Sequence, residues 1–487
     1  MERCGLEGSA VLVQWRHVAC CFFALIRIRC GGVKGFNKNV ATFEVCAGVC
    51  HNRASLNVLS MPGIEREGDN MSHAIAPTTA RERIDLLDIL RGFALLGILI
   101  VNMGIFSFPF IAAFTGTPRG ESTFDHAVEF LTYALATGKF YPLFSFLFGL
   151  GMWLQMERVQ EAGGAPARFM VRRLLVLMGF GLAHALLIWN GDILFIYALV
   201  GLVALLFRKA QPRTLLIWAS ALIAIPIILS AGLIVLGILV AGLAPTDASG
   251  MDEVMTLVRD LERQAIETYA RGSWGQIFAW RAIEWLIVLV FFFLSGNVLQ
   301  ILAIFLIGMY AGKRQVFQRL MQLPANERRL PAGRVCLVVG LVANFALTWL
   351  MWMVDMTSPL AGLPSVLLLI FGPVLSYGYM AAFVALTRRE AWHRRLEPLA
   401  AAGRMALSNY IAQSIVCTLI FYSYGLGLFG QVGAFAGLLI SLTIWLVQLV
   451  ISVFWLKRFR FGPLEWVWRS LTYGAPQTMA KTRQLAA

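Results

Sequence analysis

The chain has 487 residues, of which 59% are hydrophobic and only 14% charged, and its mean hydropathy is +0.72. Soluble domains are about 45–50% apolar and about a quarter charged, so this chain has too little polar surface to cover a water-soluble core. That excludes an ordinary cytosolic enzyme, a disordered chain and a disulfide-rich secreted fold, and it predicts an all-α, polytopic membrane protein. The net charge of +14 is read as Lys and Arg gathered in cytoplasmic loops, and no nucleic-acid partner is expected.

Residues 1–80 are expected to form a poorly structured extension. Six of the eight cysteines (Cys4, Cys20, Cys21, Cys30, Cys46 and Cys50) fall in the first fifty residues. Cys46, Cys50 and His51 have no second pair at finger-like spacing, so no metal is expected. The apolar run from Val18 to Ile26 is too short to span a bilayer, and no small-residue cleavage site follows it. Met71 opens a short polar leader directly before the first good membrane helix, which points to translation starting at Met71 or Met61.

Spanning helices need about 20 mostly apolar residues. The candidates are 86–108, 130–154, 169–188, 191–207, 214–243, 282–311, 335–354, 363–386, 405–424 and 434–456, about ten spans within a helical domain over 81–475, followed by a cytoplasmic tail at 476–487. Basic residues crowd alternate loops: Arg168, Arg172 and Arg173; Arg208 and Lys209; Lys313 and Arg314; Arg388 and Arg389; Lys457 and Arg458. The other side is nearly free of them, and its long 244–281 loop carries Asp252, Glu253, Asp260, Glu262 and Glu267. With ten spans, both termini are then cytoplasmic. The sixth span is long enough to tilt or to break at Ser295-Gly296-Asn297, but splitting it in two would invert every later loop, so it is kept as one. Residues 251–272 read either as a surface helix on the outer face or as a plain connector.

Polar residues within spans are costly, so each is a functional candidate. Asp88 and Arg91 can pair at i, i+3. Arg91 and Asn102 lie eleven residues apart, which puts them within about 20° of one helical face. His184 has a carboxylate, Asp192, eight positions on across a tight turn that also holds Asn190. That carboxylate could orient the imidazole for proton transfer, although a lone histidine on an apolar helix is more often a bonded core residue. Glu284 could join this outer cluster, with pairing to Arg281 the simpler account. Asn409 and Gln413 share a face in the ninth span; helix–helix hydrogen bonding is their default role and substrate contact the alternative. Glycines, including Gly149 and Gly151, fit close helix packing.

At several of these residues the chain resembles the bacterial YeiB-like family (domain of unknown function 418). The matching pieces are Arg83, Leu87, Asp88, Leu90 to Leu95 and Gly97 ending at Val101-Asn102; Gly138-Lys139-Phe140 through Leu143 to Gly149; Gly191 to Leu194 with Tyr197-Ala198; Gly403-Arg404-Met405 to Tyr410; and Phe461 to Trp466. That family is similar to a wider group of transmembrane acyltransferases. The resemblance implies transfer of an acyl group from cytoplasmic acyl-CoA to an envelope acceptor beyond the bacterial inner membrane. The sugar O-acyltransferases of that group pair a first-span Arg with a His eleven residues later, whereas this chain has Asn102. Asparagine cannot serve as a base, so His184, or His126 in a loop, would have to supply proton transfer, or the chemistry has been abandoned.

The expectation is therefore an acyltransferase with His184 and Asp192 as catalytic residues and Asp88, Arg91, Asn102, Asn190, Glu284, Asn409 and Gln413 as substrate-binding residues. It would hold no bound cofactor and take acyl-CoA as co-substrate. Its partners would be the lipid bilayer and an envelope glycan or lipid acceptor, with a homo-oligomer also open. The alternatives are a permease for a small polar metabolite and a non-catalytic membrane scaffold. The start-site expectation has its own check: intact mass of natively expressed protein should correspond to a chain beginning at Met71 or Met61, and a mass that includes Met1 would overturn it.

Overall fold

The computed structural model describes residues 85–481 apart from 113–116, 244–247, 355–357 and 359. The expectation for residues 1–80 and the start site lies outside them. The described elements are helices, joined by one isolated backbone bridge between Phe459 and Ala480. Among the described residues, seven helices are long and apolar enough to cross a membrane, and three shorter apolar ones accompany them. Side chains such as Ile228, Leu233, Leu294, Val342 and Phe454 project outward, the arrangement lipid requires. The protein is an all-α polytopic membrane protein.

In chain order the helices are α1 (Asp85–Ser107), α2 (Thr123–Leu135), α3 (Phe140–Glu161), α4 (Pro166–Ala183), α5 (Leu194–Ala204), α6 (Pro212–Leu243), α7 (Ala248–Arg271), α8 (Trp274–Leu294) and α9 (Asn297–Lys313). There follow α10 (Val316–Gln322), α11 (Gly333–Met353), α12 (Leu363–Leu386), α13 (Glu390–Arg395), α14 (Glu397–Arg404), α15 (Ala406–Phe421), α16 (Ala434–Arg458) and α17 (Pro463–Tyr473). Most expected spans coincide with one helix. The reading of 251–272 as a helix holds, within α7, whose Tyr269 is buried and whose Glu262 accepts a hydrogen bond from Thr117.

Two expected spans are not continuous. The second, 130–154, breaks between α2 and α3 at Gly138, whose φ of +80° suits glycine. The break is held by buried Lys139, whose ammonium donates to the carbonyls of Tyr133 and Thr137 at 2.6 Å each. The sixth, 282–311, breaks at Gly296 (φ +75°), where Pro226 of α6 sits against the glycine and Asn297 donates to Ser295 Oγ at 2.7 Å. Helix α8 packs on α7 and the end of α4, while α9 packs on α3, α5 and α6. The break leaves α8 long and apolar enough to cross a membrane by itself, with α9 a shorter apolar helix after it. The two breaks meet, because the Tyr141 hydroxyl bonds Asn297 at 3.2 Å and also Gln300.

Basic segments gather at one end of the bundle. Lys313 reaches the carbonyl of Ala210, Arg388 that of Ala325, and Trp468 that of Arg173. At this end α14 presses on α1 so closely that a Cβ at Gly92 would stand 2.0 Å from the carbonyl oxygen of Leu399. Gly149 likewise meets the Phe305 backbone, as expected of a packing glycine, whereas a Cβ at Gly151 would stand 3.7 Å from the Arg91 guanidinium.

The sequence reading did not anticipate α17, nor that the segment after it folds back. Backbone bonds from Arg460 to Met479 and from Lys481 to Arg458 tie residues up to 481 against the end of α16, so the expected tail is partly structured. Glu465 in the first turn of α17 accepts from the backbone N–H groups of Leu407 and Ser408 at 2.7 and 3.0 Å and from the Ser408 hydroxyl. It thereby caps the start of α15 with a side chain from another helix. Burial lifts the Glu465 carboxyl above the ordinary carboxylate range, although the bonds from Ser408 and Leu407 pull it down.

Three substitutions test this packing. Gly92→Ala should cost about 1–3 kcal/mol by overpacking, read as a lower unfolding temperature in detergent. Gly179→Ala, with open space around its Cβ, should be neutral or gain up to about 1 kcal/mol from helix propensity. For Glu465, a folded pKa above the unfolded one means that its contribution is complete below the unfolded value and lost as pH rises through the folded value. Glu465→Gln should flatten that loss in a stability–pH series, and an unchanged curve would show that Glu465 does not control it.

Candidate functional site

The site is built on one face of α1. Asp88 and Arg91, one turn apart, form an ion pair at 2.7 Å, with Asp88 buried and the Arg91 side chain 28% exposed. Continuing along that face at helical spacing, Leu95, Ile98, Asn102 and Ile105 line a cavity of about 380 Å³. Arg91 and Asn102 thus share a surface about 16 Å long. The opposite wall comes from α3, with Tyr141, Phe144 and Phe148, and includes Gly138 at the first helix break. Irregular backbone at membrane depth is tolerable where it is buried in protein or lines a cavity.

At the basic end the lining includes Arg91, Arg173, Arg404, Arg469 and Trp468. The Arg173 guanidinium lies 3.5 Å over the Trp468 ring, and the Trp468 indole donates to the Arg173 carbonyl at 2.9 Å. Arg91 and Arg469 both lie within electrostatic reach of Arg173. Glu465 is in the same wall, occupied with the start of α15. Arg173, Arg469 and Trp468 were not singled out from the sequence as site residues, because they are far apart along the chain and looked like ordinary loop charge.

The other end of the cavity is closed by Trp189, Gly191, Asp192 and Tyr410. Here α4 ends in a π-helical turn, His184–Ile188, with the Trp189 N–H bonding the His184 carbonyl at 2.8 Å. Such turns interrupt helices frequently at functional sites. The turn sets His184 Nδ1 2.9 Å from Asp192 Oδ1, while Asp192 Oδ2 accepts from the Phe195 N–H at 2.7 Å. The expected pair is therefore formed. Its side chains are only 1% and 0% exposed, and His184 itself does not line the cavity. It stands one layer behind the wall, its ring centre 5.1 Å from that of Tyr410. Its Nε2 has no hydrogen-bond partner among the described residues.

Beside this pair, buried Asn190 donates to Glu284 at 2.8 Å, and the Tyr269 hydroxyl donates to the same carboxylate at 2.6 Å. Glu284 thus joins the cluster through Asn190. No Glu284–Arg281 ion pair forms among the described residues; the buried Arg281 instead donates to the Leu186 carbonyl at 3.3 Å and lies over the Tyr422 ring. Asn409 and Gln413 are placed away from the cavity. Asn409 donates to Ala402 and Ser452, and Gln413 to Gln448, so both join α15 to α16. The structure thus brings Asp88, Arg91, Asn102 and Asp192 to one cavity, sets His184 behind it, puts Asn190 and Glu284 beside the pair, and removes Asn409 and Gln413. His126 sits on α2, its ring near Trp352, also away from the cavity lining.

Comparison with known proteins agrees with these motifs. Residues 311–475 match the family model described as "Protein of unknown function (DUF418)". The chain is 38% identical over 429 residues to the uncharacterized protein YxaH of Bacillus subtilis (strain 168), covering 84% of this chain and 98% of that one. It is 31% identical over 411 residues to the uncharacterized protein YeiB of Escherichia coli (strain K12), covering 81% and 97%. A similar likeness, 31% over 401 residues, holds for an uncharacterized 39.9 kDa protein of Bacillus acidopullulyticus, covering 82% and 96%. No solved structure matches the chain. With near-complete alignment to such relatives, the chain belongs to the YeiB-like, DUF418 family of membrane proteins.

Proposed function

We propose that the protein transfers an acyl group from cytoplasmic acyl-CoA to a sugar or lipid acceptor of the envelope, across the bacterial inner membrane. The observation that carries this reading is the cavity itself. It reaches from a mouth rich in arginine, past Asn102, to a wall backed by a buried His–Asp pair. The basic end is taken as cytoplasmic, which agrees with the distribution of Lys and Arg among the loops.

In this reading Arg91, held by Asp88, meets the phosphates of the donor. The apolar middle of the cavity receives its extended arm, and Asn102 holds substrate by hydrogen bonding. An acceptor hydroxyl attacks the thioester carbonyl, the C–S bond breaks, and the hydroxyl proton passes through His184 to the departing thiolate. Asp192 keeps the imidazole oriented throughout. Since His184 lies behind Tyr410 and Trp189, one of these rings has to swing aside before the proton can move.

A second reading, a permease for a small polar metabolite, gains from the two helix breaks at Gly138 and Gly296. Discontinuous helices that meet beside a cavity are a feature of transporter binding sites. The two readings part on a chemical step.

Acyl-CoA binding and CoA release by protein in lipid nanodiscs, with a mixture of candidate acceptors, test the proposal. His184→Ala should lower release by about 10²–10⁴-fold, the usual worth of a general base, with acyl-CoA binding retained. Arg91→Ala should weaken acyl-CoA binding. If acyl-CoA neither binds nor reacts, the enzyme reading falls, and uptake of polar solutes into proteoliposomes becomes the relevant assay.

A further inference from the structure

The arginine mouth has a composition that Asp88 and Arg91 alone do not explain. Four guanidinium groups, from Arg91, Arg173, Arg404 and Arg469, line one end of the cavity, and the carboxylates in that wall are Asp88 and Glu465. Asp88 pairs with Arg91, while Glu465 accepts from the start of α15. Arg91 and Arg469 each lie within electrostatic reach of Arg173, and all three side chains are half-buried. Planar, multiply donating guanidinium groups are the preferred partners of phosphate.

Beyond this mouth the walls turn apolar, through Leu95, Ile98, Phe144, Phe148 and Leu177. A free phosphate would leave that lining unused, whereas a purely apolar chain would leave the arginines unused. One side of the mouth is not a spanning helix at all: Glu465, Trp468 and Arg469 all belong to α17.

We infer that this end of the cavity binds an amphiphile with a phosphate-bearing head and a long apolar chain, with Arg173 and Arg469 as head-group residues and α17 as the wall that completes the site. The inference takes the cavity of the acyltransferase reading and names the ligand chemistry there, but it needs no chemical step. A long-chain acyl-CoA and a lipid phosphate both satisfy that chemistry.

The test is equilibrium binding to the full chain in nanodiscs of phosphatidylcholine. The probes are dodecyl phosphate, inorganic phosphate, the uncharged dodecyl glucoside, palmitoyl-CoA and phosphatidic acid. Dodecyl phosphate should bind at least tenfold more tightly than inorganic phosphate or dodecyl glucoside, and its affinity should fall with salt. The double variant Arg173→Gln, Arg469→Gln should lose at least tenfold. The exposed Arg394→Gln, whose side chain pairs with Glu390 outside this cavity, should lose nothing and reports on charge change alone.

Equal binding of the glucoside, or an unchanged double variant that keeps its wild-type unfolding temperature, overturns the inference. If the double variant does not fold, competition of dodecyl phosphate against dodecyl glucoside on the wild type decides it. Competition by palmitoyl-CoA without phosphatidic acid identifies a nucleotide thioester as the source, and the reverse identifies a lipid. Tight phosphate binding without CoA release sinks the acyltransferase reading and leaves this site standing. Undiminished turnover with no preference for phosphate does the opposite.

Discussion

The ammonium of Lys139, buried and bonded to two carbonyls near the end of α2, is the interaction on which the cavity depends. In hydrocarbon every backbone carbonyl needs a donor, and an interrupted helix loses several at once. A lysine placed just past the end of α2 supplies donors and also complements the negative end of the helix dipole. Its own carbonyl is taken by the Ser376 hydroxyl of α12. With the break satisfied in this way, α3 can start afresh at Phe140 and place Tyr141 and Phe144 in the cavity wall. Tyr141 then reaches Asn297 and Gln300 at the second break, so the two interruptions share one polar patch.

The two ends of the cavity obey different electrostatic rules. At the basic end the charges are half-buried and arranged around an opening, so they keep access to water and to any anion that enters. At the other end His184, Asp192, Asn190, Glu284 and Arg281 are all buried, so each needs bonds within the protein. Glu284 obtains them from Asn190 and Tyr269, Asp192 from His184 and the Phe195 amide. The π turn makes this possible. Its extra residue shifts the chain after His184 so that Trp189 stacks on Phe106 with ring centres 4.0 Å apart, while Asn190 and Asp192 reach different partners.

Much of this was legible in the residues. Length and hydropathy marked most helices, and the 100° periodicity put Arg91 and Asn102 on one face before any contact was known. The eight-residue separation of His184 and Asp192 pointed to their pairing. The breaks at Gly138 and Gly296 were harder, because apolar runs continue through both and only backbone angle and tertiary partners end the helices. Ser295-Gly296-Asn297 carried a visible warning; Gly138 did not. Asn409 and Gln413 look like any polar pair on a span, and the difference between lining a cavity and joining two helices lay in Gln448 and Ser452, more than thirty residues away. Arg173 and Arg469 are almost three hundred residues apart, so no local pattern could unite them.

The placement of Asn102 connects these points. It lies one turn before Phe106, the residue stacked on Trp189, so the first span carries an uncharged hydrogen-bonding side chain up to the wall that hides His184. An imidazole at Asn102 would face the cavity directly and could titrate with whatever entered. Asparagine at that point keeps hydrogen bonding but removes the titration, while the one histidine in the cluster is sheltered behind Tyr410. Any proton transfer at this end is thereby made conditional on movement of a ring, Tyr410 or Trp189. A cavity that reaches from one end of a membrane protein toward the other has need of such a condition, since a permanently accessible base beside it would offer protons a standing route. The same sealing would serve a transporter equally well, so its value lies in separating the two ends whichever ligand the arginines hold.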